Sequence, residues 1–256
     1  MTERRAVTVT MEDNVAWITL DDVERRNSLN PVLVRQLADA CAEVRRDPGL
    51  RAVVLRARGP VFSAGGDIDA LGEPVEDPTV VYAGFRALSA LPVPVVAAVH
   101  APAIGAGVNF VLACDVVVAA RSATFDPRFL DVAIHPGGGH LWRMEQRVGR
   151  QGAAAMVLFG EAVTALEAER CGLIWRCVED DDLLDVVRRM TARVVGRSPD
   201  LVRRTKATMR LSRSLTDPRM AADLEQVAQD WSMRQPSFTE AVRRLRERVR
   251  PRAGNS

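Results

Sequence analysis

Two short turns rich in small residues constrain this chain most, because each follows an apolar run typical of a buried strand. The first turn is residues 62–68 (FSAGGDI), after the run at 51–57, and the second is residues 103–109 (AIGAGVN), after the run at 95–99. Glycine and alanine let the backbone turn sharply and approach another segment closely. Backbone N–H groups from both turns could therefore converge on one oxygen, an arrangement that stabilises an oxyanion or enolate.

Each turn alone has an ordinary explanation, because small residues are common wherever a strand and a helix pack closely. A dinucleotide-binding loop is the weaker alternative for the second turn. Phe110 stands where the third glycine of a G-x-G-x-x-G motif is needed, and the chain contains no G-x-x-x-x-G-K-[ST] sequence.

The two turns, the Cys114-Asp115 pair and a third glycine loop at residues 135–139 (HPGGG) together resemble the enoyl-CoA hydratase/isomerase (crotonase) family. The resemblance covers nearly the whole chain. It implies an α/β fold of repeated ββα units in a spiral, with two nearly perpendicular sheets and an appended helical part that forms trimers. The expected division is a core with the CoA-thioester site at residues 1–180 and C-terminal helices at residues 181–256.

The resemblance also implies roles for residues of the turns. The oxyanion-hole N–H groups are expected at Ala64 and Ala106. The substrate-binding residues expected around these two donors and in the third loop are Gly65, Gly66, Asp67, Ile68, Gly105 and Gly137.

The carboxylates that such a site normally uses are missing from the corresponding positions. Family hydratases add water with two glutamates, and those positions fall on Asn109 and Phe129. Other members use an aspartate just after the proline of the third loop, where this chain has Gly137. The resemblance therefore predicts a thioester-binding frame but leaves the reaction open.

Asp131 is the best remaining candidate for an acid or base, since it lies two residues beyond Phe129. The alternative is a surface carboxylate paired with Arg128. His135 and His140 flank the glycine loop and could titrate near neutrality, although His140 is expected mainly to line the helix that follows. His100 is expected to make a packing contact or a backbone hydrogen bond.

The expected ligand is coenzyme A, bound as part of an acyl-CoA substrate, with no separate cofactor and no metal. Arginine suits the CoA phosphates, and the resemblance places Arg25, Arg26 and Arg248 beside the nucleotide.

The 35 basic and 33 acidic residues nearly balance, so no nucleic-acid partner is expected. The longest apolar stretch, residues 91–120, is interrupted by three prolines, Asn109 and Asp115, so membrane insertion is not expected either. Four scattered cysteines and an N-terminus without an apolar signal core favour a cytoplasmic protein.

Helix starts can be predicted from capping residues. Asn30 with Pro31 and Asp217 with Pro218 are expected to open helices, as are capping boxes at Thr164 and Ser237. Strands and helices are expected to alternate, with a strand at residues 173–178 as the last strand and helices beyond it. The resemblance implies that such helices assemble into a homotrimer or a dimer of trimers, which would bury Trp231, Met233 and Phe238. The alternative is that these three side chains pack within one subunit.

Three functions remain open from the sequence. The first is a hydratase-like lyase that uses an unusual acid or base. The second is another enolate reaction, such as isomerisation, C–C cleavage or thioester hydrolysis. The third is an acyl-CoA-binding oligomer with weak catalysis.

Overall fold

The computed structural model describes residues 4–68 and 80–249. The chain divides into two compact units, Met1–Val195 and Gly196–Ser256. The strands of the first unit are β1 (Val7–Glu12), β2 (Val15–Leu20), β3 (Ala52–Ala57), β4 (Val95–Val99), β5 (Ala103–Ile104), β6 (Val116–Ala120), β7 (Thr124–Asp126), β8 (Val163–Thr164) and β9 (Arg176–Val178). Its helices are α1 (Pro31–Arg45), α2 (Ala83–Ser89), α3 (Gly107–Ala113), α4 (His140–Leu158), α5 (Ala165–Arg170) and α6 (Leu183–Val195).

The strands form two sheets. The larger has the order β1-β2-β3-β4-β6-β9, with β1 antiparallel to β2 and the other pairs parallel. The smaller has the order β5-β7-β8. β4 is buried along its whole length, as expected for a parallel strand covered on both faces. The predicted α/β architecture is confirmed.

Alternation along β3 shows how the larger sheet is covered on both faces. Val53 and Leu55 belong to the core cluster that contains the buried faces of α1, α2 and α3. Val54, between them, belongs to a second cluster with Leu183 and Val187 of α6. Successive side chains of a strand point to opposite faces, so one strand contributes to two helical layers.

The division between the units differs from the predicted boundary at residue 180. The helix α6 lies beyond that boundary, yet its buried residues pack in the sheet's second cluster. The compact first unit therefore extends to Val195. The second unit contains α7 (Pro199–Ser212), α8 (Pro218–Met233) and α9 (Pro236–Val249), and the Arg204 guanidinium lies 4.6 Å from the centre of the Trp231 ring.

Most of the predicted helix starts are confirmed. Asn30 caps α1 by accepting a hydrogen bond from the Leu33 N–H at 3.0 Å, and Thr164 forms a capping box with Glu167. Asp217 caps α8. The prediction at Ser237 is wrong, because α9 already begins at Pro236 and Ser237 lies inside its first turn.

In the described parts of the chain, no helix is both long and apolar enough to cross a bilayer.

Candidate active site

The two small-residue turns lie in direct backbone contact. The Ile104 N–H donates a hydrogen bond to the Ser63 carbonyl at 2.9 Å, and Ser63 bridges to Ala103 as in a parallel ladder. Gly65 has φ of +86°, and a Cβ there would lie 2.6 Å from the Ile104 carbonyl oxygen and 3.1 Å from the Ala106 nitrogen. Only glycine fits at this contact, and its conformation brings the first turn against the start of the second.

The structure corrects the expected role of Ala64. The Ala64 N–H donates a hydrogen bond to the Arg26 carbonyl at 2.9 Å, so it is not available to a substrate oxygen. Among residues 4–68 and 80–249, by contrast, the N–H groups of Gly66 and Ala106 have no hydrogen-bond partner. Gly66, which is among the substrate-binding residues expected from the sequence, and Ala106 therefore each present an unoccupied N–H group.

Ala106 presents its unoccupied N–H group at the start of α3. It precedes the first residue of α3 with φ of −64° and ψ of −10°, and its carbonyl accepts the Asn109 N–H at 3.0 Å. Asn109 therefore lies on the first turn of α3, three residues after the donor. Gly105, with φ of +51°, makes the turn that positions Ala106.

Asn109 and Phe129, which occupy the positions of the two missing glutamates, both contact the imidazole of His140. The Asn109 side chain is 2% exposed, and its Nδ2 donates to the Gly137 carbonyl at 3.0 Å while its Oδ1 lies 2.5 Å from His140 Nδ1. Since the Asn109 oxygen can only accept, His140 carries its proton on Nδ1. The Phe129 ring packs edge-on against His140 at a centroid distance of 4.9 Å.

His140 is held as a buried neutral imidazole. It is 1% exposed, and burial lowers its pKa from 6.5 to about 4. Within the described residues, its Nε2 has no hydrogen-bond partner. As expected, His140 opens α4; its contacts with Asn109 and Phe129 could not be predicted from their separation in sequence.

Tyr82 is a residue of the site that the sequence analysis missed. It ends a 3₁₀ turn at Val80–Tyr82, and its side chain lies against the glycine loop. A Cβ on Gly137 would overlap the Tyr82 hydroxyl oxygen, and a Cβ on Gly138 would lie 2.6 Å from Tyr82 Cδ1 and 3.0 Å from Asn109 Nδ2. Burial raises the pKa of Tyr82. No sequence motif marked this residue, because it lies far from every glycine turn.

Asp131, the candidate acid or base, is exposed in the 3₁₀ turn Leu130–Val132. The structure therefore does not place it in the apolar pocket that the catalytic hypothesis requires. The guanidinium of Arg128 instead pairs with Asp126, donating from Nε to Oδ2 at 2.8 Å, and that hydrogen bond is the main cause of its raised pKa, with a smaller contribution from Asp131. The surface alternative describes Asp131 better.

The other two histidines, His100 and His135, each contact a backbone carbonyl. His100 Nε2 lies 2.8 Å from the Gly59 carbonyl, which is the expected backbone hydrogen bond. His135 is exposed, and its Nδ1 lies 2.8 Å from the carbonyl of Pro136.

The remaining predicted binding residues are distributed around the first turn, with one exception. Arg25 and Arg26 are exposed, and the Arg26 backbone is tied to the turn through Ala64. Asp67 accepts a hydrogen bond from the Ser28 hydroxyl at 3.1 Å, and Ile68 is 83% exposed. Arg248 lies on α9 in the second unit, and its predicted contact with the nucleotide stays a prediction.

Comparison with known proteins decides the family. The family model for enoyl-CoA hydratase/isomerase matches residues 10–253. The chain belongs to the enoyl-CoA hydratase/isomerase family. A protein of Mycobacterium tuberculosis named "Probable enoyl-CoA hydratase EchA14" is 36% identical over 248 residues, which cover 93% of this chain and 96% of that protein.

Two further members of this family are similar to the chain, one in sequence and one in structure. The 1,2-epoxyphenylacetyl-CoA isomerase of Escherichia coli is 35% identical over 190 residues, covering 70% of this chain and 72% of that enzyme. The crystal structure of an enoyl-CoA hydratase from Mycobacterium smegmatis superposes with a TM-score of 0.90 at 29% identity, covering 97% of this chain and 98% of that one. The fold is that of the crotonase family.

Proposed function

We propose that the protein binds an acyl-CoA and stabilises its thioester enolate between the N–H groups of Gly66 and Ala106. The main support for this proposal is that the two backbone donors lie on turns in direct contact and have no partner among the described residues. Donors fixed in place stabilise a developing oxyanion without reorganisation. The family of the chain supplies the acyl-CoA class of substrate.

Ordinary hydration is not the principal reaction in this proposal. Water addition needs groups that take and deliver protons, whereas an amide such as Asn109 cannot act as a base. Phe129 adds an apolar ring against His140, which disfavours a nucleophilic water. With Asp131 exposed, the geometry supports another enolate reaction, such as isomerisation or C–C cleavage, better than hydration.

A pair of ligands that differ only in the thioester oxygen tests the oxyanion hole. Butyryl-CoA has that oxygen, and the thioether S-butyl-CoA lacks it. Isothermal titration of the native protein is expected to show about 10-fold tighter binding of butyryl-CoA, in line with one to two hydrogen bonds. The variant Ala106→Pro should lose most of this preference, because proline has no N–H and its fixed φ matches the φ of −64° at this position.

Ala106→Gly is the matched control, since it keeps the N–H and should keep the preference. Thermal melting of both variants checks that they fold. If the folded Ala106→Pro variant still prefers butyryl-CoA as the native protein does, the proposed oxyanion hole is wrong. Incubation of the native protein with a panel of acyl-CoAs, followed by mass spectrometry, then identifies the reaction.

Coenzyme A enters this proposal as part of the substrate, with its phosphates bound by Arg25 and Arg26. Both side chains are exposed beside the first turn, and guanidinium groups bind phosphate oxygens in a bidentate manner. Butyryl-pantetheine, which lacks the nucleotide, should therefore bind more weakly than butyryl-CoA in the same titrations. Equal affinity of the two would contradict this part of the proposal.

We also propose that the protein is a homotrimer or a dimer of trimers. Large apolar side chains of the second unit are exposed, including Met233 at 52%, Phe238 at 41% and Leu245 at 59%. Exposed apolar surface of this extent is typical of a protein interface. Light scattering coupled to size-exclusion chromatography should give three or six times the mass of one chain, and the mass of a monomer would contradict the proposal.

A further inference from the structure

The Tyr82 hydroxyl occupies the space that a side chain at position 137 would fill. Gly137 has no side chain, and a Cβ there would overlap the hydroxyl oxygen. The Tyr82 ring and the Asn109 amide both approach Gly138, at 2.6 Å and 3.0 Å from its ideal Cβ. Tyr82 therefore lies close to the side chain of Asn109, on the first turn of α3, and this helix begins directly after Ala106.

Apart from the buried Nε2 of His140, an acceptor without a partner among the described residues, the hydrogen-bonding groups left unused around this point are donors. The Asn109 oxygen is occupied by His140, and the Asp67 carboxylate by Ser28. Within residues 4–68 and 80–249, no partner is found for the hydroxyl of Tyr82 or for the N–H groups of Gly66 and Ala106. Burial raises the pKa of Tyr82, so the phenol stays protonated at neutral pH and can donate. Such a set of donors suits a ligand with two acceptor oxygens.

A 3-oxoacyl thioester has the chemistry that matches these donors. Its enolate shares the negative charge between the thioester oxygen and the oxygen on Cβ, so donors at both places stabilise it. The second carbonyl also makes the Cα–H far more acidic than that of a simple acyl thioester. The Cα proton is then acidic enough to pass to solvent, so enolate formation does not need a carboxylate base at positions 109, 129 and 137, where this chain has none.

We infer that the substrate is a 3-oxoacyl-CoA and that the Tyr82 hydroxyl donates a hydrogen bond to its Cβ oxygen. This inference rests on the proposed function, because it takes the thioester oxygen to be bound by Gly66 and Ala106. It assigns Tyr82 as a residue that contacts substrate and determines specificity.

Two ligands and one variant test the assignment. Acetoacetyl-CoA differs from butyryl-CoA by the Cβ oxygen, and we expect the native protein to bind it about 10-fold more tightly, as for a hydrogen bond to a charged acceptor. Tyr82→Phe removes only the hydroxyl and should abolish most of that difference. Its affinity for butyryl-CoA should stay within about twofold of the native value, which also shows that the variant is folded.

The chain has one tyrosine, so 3-fluorotyrosine labelling places a single fluorine reporter at Tyr82. Acetoacetyl-CoA should shift the ¹⁹F resonance of the labelled native protein, and coenzyme A alone should leave it nearly unchanged. A resonance that does not respond to acetoacetyl-CoA under saturating conditions would overturn the inference.

The outcomes separate this inference from the proposed function. If Ala106→Pro loses the preference for butyryl-CoA over S-butyl-CoA while Tyr82→Phe keeps the preference for acetoacetyl-CoA, the oxyanion hole stands and the role of Tyr82 is wrong. If Ala106→Pro changes neither preference, the proposed function fails. Equal binding of acetoacetyl-CoA and butyryl-CoA by the native protein would overturn the 3-oxoacyl assignment directly.

Discussion

Replacing both Asn109 and Phe129 by glutamate is expected to increase the hydration of crotonyl-CoA by at least about 10²-fold, the lower end of the contribution of a positioned acid or base. The two positions already meet at His140, with Asn109 hydrogen-bonded to its Nδ1 and Phe129 against its ring. Carboxylates there would supply the proton transfers that the native side chains cannot. Turnover is measured from the loss of enoyl-thioester absorbance.

The matched control is the variant with glutamine at both positions, which has the same side-chain size without a carboxylate. The glutamine variant loses the hydrogen bond to the Gly137 carbonyl in its present form, so it should be destabilised by about 1–3 kcal/mol. The glutamate variant should be destabilised more, because it also buries two carboxylates. Equal hydration by the glutamate and glutamine variants, with binding of butyryl-CoA intact, would refute the explanation. A native turnover on the order of 10 per second, typical of enzymes, would show that the protein has a base elsewhere.

The fold could be predicted where one residue pattern has one structural outcome. The buried run of β4 and the cap of α1 by Asn30 are of this kind, because few other structures accommodate such residues. The C-terminal limit of the first unit could not be predicted from the sequence. The amphipathic pattern of α6 is the same whether this helix packs on the sheet or on other helices. Its contacts with Val54 and Val118 depend on the path of the chain.

The site was predictable to the level of the turns and not to the level of the atoms. Gly65 with φ of +86° confirms that the first turn needs glycine for a close approach. Which N–H is left unoccupied depends on partners distant in sequence, and the contact between Ala64 and Arg26 moved that role to Gly66. Tyr82 reaches the glycine loop only through the folded chain, so no local pattern could have indicated it.

Acidification is expected to destabilise the folded protein through His140 by about 3 kcal/mol, from the difference between a pKa of 6.5 in the unfolded chain and about 4 in the folded one. The sign follows from burial. Below pH 6.5 the unfolded chain binds a proton at His140, whereas the folded protein binds one only near pH 4. Unfolding is therefore favoured as the pH falls through this window, and the effect disappears above it.

Urea unfolding at pH 7 and pH 4, at one protein concentration, measures this loss. His140→Asn keeps a nitrogen donor for Asn109 and cannot titrate, so its free energy of unfolding should fall by about 3 kcal/mol less than that of the native protein over the same interval. His135→Asn is the control, because His135 is exposed, and it should behave as the native protein does. The smaller asparagine also costs some stability at both pH values, which cancels in the difference. If the native protein and His140→Asn lose the same stability on acidification, His140 is not buried as a neutral imidazole, and the network that joins Asn109, Gly137 and Phe129 has a different arrangement.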